Sequence, residues 1–241
     1  GSVQPVARAP AIATVITAAD IEATGARTVE EALVMVPGLH VSRSSYFYNP
    51  IYSFRGIQTQ YNPQVLVLIN DVPQTMVFGG DRGTAWGTVP VELIARIEVM
   101  RGPGSALYGA DALTGVINIV TKSPEELRGT HLYGSYGAYQ SAEATAAHAV
   151  SDGPVRFMAY ARAARTDGPD QTIRADQQTG WDRAFGTSAS KAPGSLNLGV
   201  HGVDAGFDVR YDDFILRANF KKRNDVGTAV GVASALDPSG K

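Results

Sequence analysis

Residue types that could carry covalent chemistry are sparse in this sequence. Its 241 residues include no cysteine, which excludes thiol catalysis, disulfides and cysteine-ligated metal centres. No metal-ligand spacing connects the four histidines, which are His40, His131, His148 and His201. Gly104-Ser105-Ala106 also lacks the closing glycine of a hydrolase nucleophile elbow. The sequence therefore predicts neither an enzyme nor a metal or cofactor site.

A glycine-rich stretch from Gly102 to Gly109 has the composition of a phosphate-binding loop but not its ending. A P-loop closes with Gly-Lys-Ser or Gly-Lys-Thr, which reach the phosphates, whereas Ala110-Asp111 follow here. We therefore interpret these glycines as residues that permit tight turns and close backbone packing.

The residues best suited to contact a small ligand lie in three segments rich in polar and aromatic residues, 43–52, 58–63 and 76–88, the last of which is also rich in glycine. Rigid amphipathic aromatic rings are typical of small-molecule recognition. The candidate ligand contacts in these segments are Tyr46, Tyr48, Gln58, Tyr61, Phe78, Arg82 and Trp86. The alternative is that the rings only pack the loops together and that Arg82, beside Asp81, is merely solvated.

Charge and hydropathy exclude two further classes of protein. The net charge is -2, from 21 Lys and Arg against 23 Asp and Glu, so the chain lacks the basic surplus of a dedicated nucleic-acid binder. No stretch approaches the roughly 18 consecutive apolar residues of a membrane helix, although this test does not detect membrane-spanning strands. The start at Gly1-Ser2, without Met or an apolar stretch, indicates that any signal peptide has been removed.

The elements that must position the candidate residues form, by prediction, an α+β domain over residues 1–128. Thr17 and Asp20 have the spacing of a capping box at the start of a helix that ends at Gly25. Thr28 is the predicted N-cap of a second helix, stopped by Pro37-Gly38. Extended runs predict the strands Thr14–Thr17, Leu39–Ser42, Val65–Ile69, Ile97–Met100 and Val116–Val120.

Residues 129–241 follow a different pattern. Apolar and polar side chains alternate over residues 155–162 and 214–221, which predicts long strands with one apolar face. Asp152-Gly153 and Asp212-Asp213 are predicted tight turns, whereas Thr166 to Gly202 is long, polar and poor in strand pattern. Short turns at one rim and long loops at the other are typical of a transmembrane β-barrel, here incomplete.

The first half contains an ordered set of motifs. They are Val15–Ile21, Thr28–Leu33 closing in Val36-Pro37-Gly38, Phe54-Arg55-Gly56, Val67–Pro73, Ile94–Val99, Arg101–Gly109 and Gly115–Lys122. As a set they resemble the plug domain of TonB-dependent outer-membrane receptors. The second half is similar, in pattern and position, to the first strands of that family's 22-stranded barrel.

This resemblance implies a non-enzymatic, ligand-binding and gating part of an outer-membrane transporter for scarce nutrients. The ligand would be an iron chelate (a siderophore), with haem or cobalamin as alternatives, held by the loops at the top of the plug. The inner-membrane protein TonB would pull an N-terminal box on the periplasmic side. The other implied partners are the remaining barrel strands and the lipid bilayer. Arg55 and Arg101 correspond to plug arginines that pair with glutamates of the barrel wall, although they could be ordinary surface arginines.

Two departures from the family pattern stand out. Val3 to Pro10 does not convincingly supply the TonB box. About 113 residues follow Arg128, enough for roughly five strands, so we expect the N-terminal part of a receptor. The alternative function is a soluble periplasmic interaction or signalling module that retains a plug-like fold. Phe214, Leu216 and Phe220 on one strand face favour lipid contact over that alternative.

Overall fold

The computed structural model describes residues 12–43, 49–76, 89–104, 108–231 and 234–240. Contacts between residues divide the chain into two units, the first ending at Ser123 and the second continuing from Pro124. None of the helices in these ranges is long and apolar enough to cross a membrane.

The first unit is built on a mixed β-sheet. Its strands are β1 (Ile12–Thr17), β2 (Leu39–Arg43), β3 (Pro50–Phe54), β4 (Val65–Ile69), β5 (Val72–Pro73), β6 (Ile94–Arg101) and β7 (Gly115–Thr121). Five of them form a sheet in the order β1-β6-β7-β4-β5, in which β4 and β7 run parallel. The other two, β2 and β3, pair antiparallel as a separate ribbon.

Both predicted helices are present and begin at the predicted caps. In α1 (Ala18–Thr24) the Thr17 hydroxyl accepts the Asp20 N–H and the Asp20 carboxylate accepts the Thr17 N–H, so the capping box is confirmed. Gly25, in the left-handed conformation at φ 67°, ends this helix. In α2 (Val29–Leu33) the cap is Thr28, and the helix ends before the predicted stop at Pro37. The chain reaches β2 through turns over residues 34–38.

The main core lies between the helices and one face of the sheet. Strand alternation places Ile97, Ile117 and Val67 on this face, where they pack with Val29 and Leu33 of α2. A smaller cluster on the opposite face comprises Leu66, Leu68, Ala112, Val116 and Met100. The first unit thus buries apolar side chains on both faces of its sheet.

The second unit is a single antiparallel sheet with one elaborate loop. Its elements are α3 (Pro124–Leu127), β8 (Gly129–Tyr136), β9 (Ala142–Val150), β10 (Val155–Thr166), β11 (Thr172–Ile173), α4 (Gln177–Phe185), β12 (Gly194–Ser195), β13 (Val200–Tyr211) and β14 (Phe214–Asn224). The sheet order is β14-β13-β10-β9-β8. Among the described strands β8 and β14 are its free edges, so the sheet is open and does not close into a barrel. The predicted fold class is confirmed: a mixed sheet with short helices precedes antiparallel strands.

Several elements lie where no regular structure was predicted, among them strand β3 and helix α4. Strand β3 occupies part of the segment 43–52, which the polar and aromatic composition had suggested was a loop. Helix α4 lies within the stretch from Thr166 to Gly202; Asp176 caps it and forms a capping box with Thr179. In both cases the polar composition hid the local pattern.

Candidate functional site

The predicted ligand contacts fall mostly outside the part of the chain that the structure describes. That is the case for Tyr46, Tyr48, Phe78, Arg82 and Trp86. The other two, Gln58 and Tyr61, lie in the segment between β3 and β4, and both are exposed, Tyr61 at 48%.

The segment that carries Gln58 and Tyr61 is anchored to β3 by a buried asparagine. The Asn62 side-chain carbonyl accepts the Tyr52 N–H at 2.9 Å, and its amide donates to the Pro50 carbonyl at 2.7 Å. Asn62 is fully buried and adopts φ 50°, in the left-handed region that asparagine tolerates. Gln58 and Tyr61 are therefore exposed on a segment that Asn62 fixes to strand β3.

Arg55 is the first of the two arginines expected to pair with glutamates of the barrel wall, called the latch residues below. It follows β3 and has an exposed side chain. Its backbone N–H donates to the Gly38 carbonyl at 3.0 Å, and its φ is 51°. Within the described residues its guanidinium makes no hydrogen bond or ion pair. This arginine is therefore free to meet a partner from outside the unit.

Arg101, the second predicted latch residue, is engaged inside the first unit. Its Nη1 donates to the Pro37 carbonyl at 2.7 Å, and its Nη2 donates to the Thr14 hydroxyl at 3.3 Å. Its Nε is buried and has no hydrogen-bond partner among the described residues. The two latch candidates therefore have different surroundings, although both stand next to glycine in the sequence.

A polar cluster that the sequence analysis missed fixes the turn between β4 and β5. The Asn118 side-chain amide, in the middle of the apolar strand β7, donates to Asp71 at 2.9 Å and to Glu98 at 3.2 Å. Burial, followed by the charges of Asp71 and Glu98, raises the pKa of the nearby Tyr108. The signal available in the sequence was one amide in an otherwise apolar strand, opposite the Asn70-Asp71 turn.

One face of the second unit's sheet carries a ladder of ion pairs. Arg162 of β10 bonds to Glu143 at 2.6 Å and to Asp204 at 2.9 Å, and Asp204 also accepts from Arg223 at 2.8 Å. Asp204 is completely buried. A second group on the same face joins Asp208 to the arginines at positions 210 and 217. A buried carboxylate needs such partners, because an unpaired charge away from water is strongly unfavourable.

The other face of the same sheet is apolar and exposed. The strand register places Phe207 opposite Ala218 and Tyr211 opposite Phe214, so these side chains share a face with Leu216. Phe214 is 62% exposed. The alternation predicted from sequence is therefore confirmed as a two-faced sheet.

The long loop between β10 and β13 is tied to the segment that follows β14. The Asp176 carboxylate accepts the Thr179 N–H, the Ser190 hydroxyl and the Leu236 N–H, each at 2.7 Å. Burial acts to raise the pKa of Asp176, but these hydrogen bonds hold it well below its usual range. Among the described residues no three His, Asp or Glu side chains are grouped so that they could hold a metal ion. The loops form one hydrogen-bonded assembly.

Comparison with known proteins gives the same family for the first half of the chain. Residues 5–116 match the family model described as the TonB-dependent receptor plug domain. Over 128 residues the chain is 40% identical to the vitamin B12 transporter BtuB of Vibrio vulnificus, a match that covers 53% of this chain and 20% of the relative. It is 37% identical over 131 residues to the iron-regulated outer membrane virulence protein of Vibrio cholerae, covering 52% of this chain and 19% of that protein.

Solved structures share the fold of most of the chain. The ferric yersiniabactin uptake receptor FyuA from Yersinia pestis aligns with 90% of this chain and 32% of its own, at a TM-score of 0.62 and 20% identity. The siderophore receptor PirA from Acinetobacter baumannii aligns with 88% of this chain and 31% of its own, at a TM-score of 0.61 and 22% identity. The chain thus spans about a fifth of these curated relatives and about a third of these structures.

Proposed function

Because the chain belongs to the TonB-dependent outer-membrane receptors and carries their plug domain, we propose that it is the ligand-binding and gating part of a TonB-dependent nutrient transporter. Residues 1–128 would be the plug, and residues 129–241 would be barrel strands with their external loops. The protein resides in the outer membrane, with its plug, in this proposal, facing the periplasm and TonB.

The observation that carries this proposal is the two-faced sheet that follows the plug. Phe207, Phe214 and Leu216 expose an apolar face suited to lipid, whereas the opposite face is polar and internally ion-paired. Outer-membrane barrels have this alternation, apolar towards lipid and polar towards the interior. A soluble periplasmic module would need polar residues on both faces, so the geometry disfavours that alternative.

We propose an iron chelate as the ligand, with cobalamin and haem as the other candidates. The support is that FyuA is a ferric yersiniabactin receptor and PirA a siderophore receptor, while the relative BtuB transports vitamin B12. The proposed contacts are the aromatic and polar residues of the plug loops, Tyr46, Tyr48, Gln58, Tyr61, Phe78, Arg82 and Trp86. Binding and gating involve no covalent step, so no enzymatic activity is proposed.

The ligand proposal is tested by uptake in cells that carry the complete receptor. Replacing Tyr46, Tyr48 and Trp86 by alanine should reduce uptake of a ferric siderophore more than tenfold. The reason is that each aromatic contact contributes about 1–3 kcal/mol and 1.4 kcal/mol is a factor of ten. A matched control is Tyr211→Ala, an exposed tyrosine beside the tight turn between β13 and β14, which should leave uptake unchanged. Unchanged uptake in the triple variant, at wild-type receptor levels, would show that these residues only pack the loops together.

The latch proposal pairs Arg55 and Arg101 with glutamates of the barrel wall. A bidentate arginine-carboxylate pair in a confined site is strong, and its loss leaves a buried carboxylate unpaired. Replacing both arginines by alanine should loosen the plug and make cells more sensitive to large antibiotics. Normal sensitivity together with a strongly destabilised plug would show that the arginines serve internal folding instead.

A further inference from the structure

Strand β1 lies at an edge of the plug sheet. Among the described strands it pairs with β6 alone, from Ile12 opposite Arg101 to Thr17 opposite Arg96. Of its side chains at positions 13–17, that of Ile16 is the one that is buried in the core. The inner strands β4 and β7, by contrast, are buried along nearly their whole length. Side-chain contacts from other elements therefore add to the backbone pairing that holds β1 in the sheet.

The guanidinium of Arg101 contacts β1 at Thr14, the third residue of the strand. This side chain extends from the end of β6 and donates to the Thr14 hydroxyl and to the Pro37 carbonyl, at 3.3 Å and 2.7 Å. Thr14 belongs to β1 and Pro37 to the turn after α2, so one side chain connects three parts of the unit. A charged donor strengthens both hydrogen bonds.

We propose that Arg101 is the positioning residue of a releasable strap: it fastens the outer end of β1 to the sheet, and its withdrawal frees β1 without unfolding the rest of the plug. The buried Nε of Arg101 has no partner among the described residues.

The strap rests on the proposed function in one respect: the segment that is proposed to couple to TonB precedes β1 in the chain. It also separates the roles of the two arginines. Arg55 is exposed and free within the described residues, whereas Arg101 can reach a wall carboxylate through Nε only if its side chain leaves its present place. Engagement of Arg101 elsewhere therefore unfastens β1.

Amide hydrogen exchange on the full chain in detergent micelles tests the strap without any transport assay. Arg101→Lys keeps the charge but cannot span both acceptors, and Thr14→Val removes one acceptor at constant shape. We expect β1 amides to exchange about tenfold faster in the first variant and about threefold faster in the second, with β4 and β7 unchanged. Arg96→Lys is the matched control, since Arg96 is on the same strand and bonds to the exposed Glu98 at 2.7 Å.

Two results would overturn the strap. One is β1 exchange that stays at the wild-type rate in both variants; the other is an acceleration shared equally by β1, β4 and β7, which would make Arg101 an ordinary part of the global fold. A receptor that shows the predicted β1 release but fails to take up any nutrient would contradict the proposed transport function and leave the strap intact.

Discussion

The two units satisfy their charged and apolar groups in opposite ways. In the first unit, helices cover one sheet face, and the ion pair Arg96–Glu98 lies at the surface with side chains 44% and 40% exposed. In the second unit a single layer buries ion pairs on one face, with Asp204 fully buried, and exposes apolar side chains on the other. Each unit is thus built on a five-stranded sheet, mixed in the first and antiparallel in the second, but the two sheets distribute their charged and apolar side chains differently.

The two units therefore differ in whether the chain itself covers their apolar side chains. The first unit surrounds its apolar residues with its own chain, as a water-soluble domain does. The second unit exposes Phe214 and Phe220, at 62% and 58%, on a face that a bilayer would cover. In the proposed receptor, lipid would replace water on that face.

The largest expected effect is on solubility. A chain that ends at Arg128 should be a soluble monomer, whereas the chain that continues to Lys241 should need detergent or self-associate, because it exposes sheet edges and an apolar face. Size-exclusion chromatography with light scattering measures both. A monodisperse, detergent-free monomer of the longer chain, without paired edges, would remove the contrast between the two units.

The second prediction concerns the buried carboxylate of the ion-pair ladder. Asp204→Asn keeps one acceptor oxygen but removes the buried negative charge that Arg162 and Arg223 share. The free energy of unfolding in micelles should therefore fall by about 3–5 kcal/mol. Asp152→Asn is the control, because Asp152 pairs with Arg128 where the side chains are 75% and 67% exposed. Exposed pairs contribute about 0–1 kcal/mol. Urea titrations followed by circular dichroism should separate the two variants. Equal losses of unfolding free energy would show that the buried ion pairs of Asp204 contribute no more stability than the exposed pair of Asp152.

Local patterns made the first unit largely predictable. Thr17 and Asp20 lie three residues apart, so the capping box is visible in the sequence, and the apolar run Val65–Ile69 indicates a buried strand. Strand β3 was missed because it begins at Pro50 within a polar, aromatic segment, where the composition of a loop outweighs a five-residue strand.

Long-range pairings were not predictable in the second unit. Arg162 bonds to Glu143 and Asp204, which are 19 and 42 residues away, so no spacing rule connects them. Helix α4 was missed because Gly180 and neighbouring polar residues weaken its periodicity. Of the candidate site, the sequence supplies residue types and the structure adds the exposure of Gln58 and Tyr61. The ligand contacts themselves stay a prediction.

The third prediction compares two glycines packed against aromatic rings. A Cβ on Gly115 would lie 2.7 Å from the Phe54 ring and 2.9 Å from the Met100 carbonyl inside the closed core, so Gly115→Ala should cost about 1–3 kcal/mol. A Cβ on Gly206 would lie 2.5 Å from the Asn219 side-chain oxygen and 2.6 Å from the Tyr160 ring. Asn219 is an exposed side chain on the edge strand β14 and can move aside, so the loss should be smaller.

Gly137→Ala is the neutral control for this comparison, since nothing lies within 4 Å of an added Cβ there. Denaturant unfolding of the full chain in micelles, followed by circular dichroism, measures all three variants. A larger loss for Gly206→Ala than for Gly115→Ala would mean that the single-layer face is as rigid as the closed core.

The smallest effect is expected at the capping box of α1, on the surface of the first unit. Hydrogen bonds from the side chain and then the backbone of Thr17 lower the pKa of Asp20. A carboxyl group whose pKa is lower in the folded state stabilises that state at every pH above the pKa that the group has in the unfolded chain, about 3.9. This contribution is lost as the pH falls through the pKa of the folded state.

Asp20→Asn should therefore lower the melting temperature of the chain that ends at Arg128, at pH 7, by less than Gly115→Ala does. The difference from wild type should shrink below pH 4. Thr17→Val removes the hydroxyl that bonds to Asp20 and should reduce the same acid-dependent difference. A difference between Asp20→Asn and wild type that persists unchanged at pH 3 would show that the asparagine acts through helix propensity and not through the ionised cap.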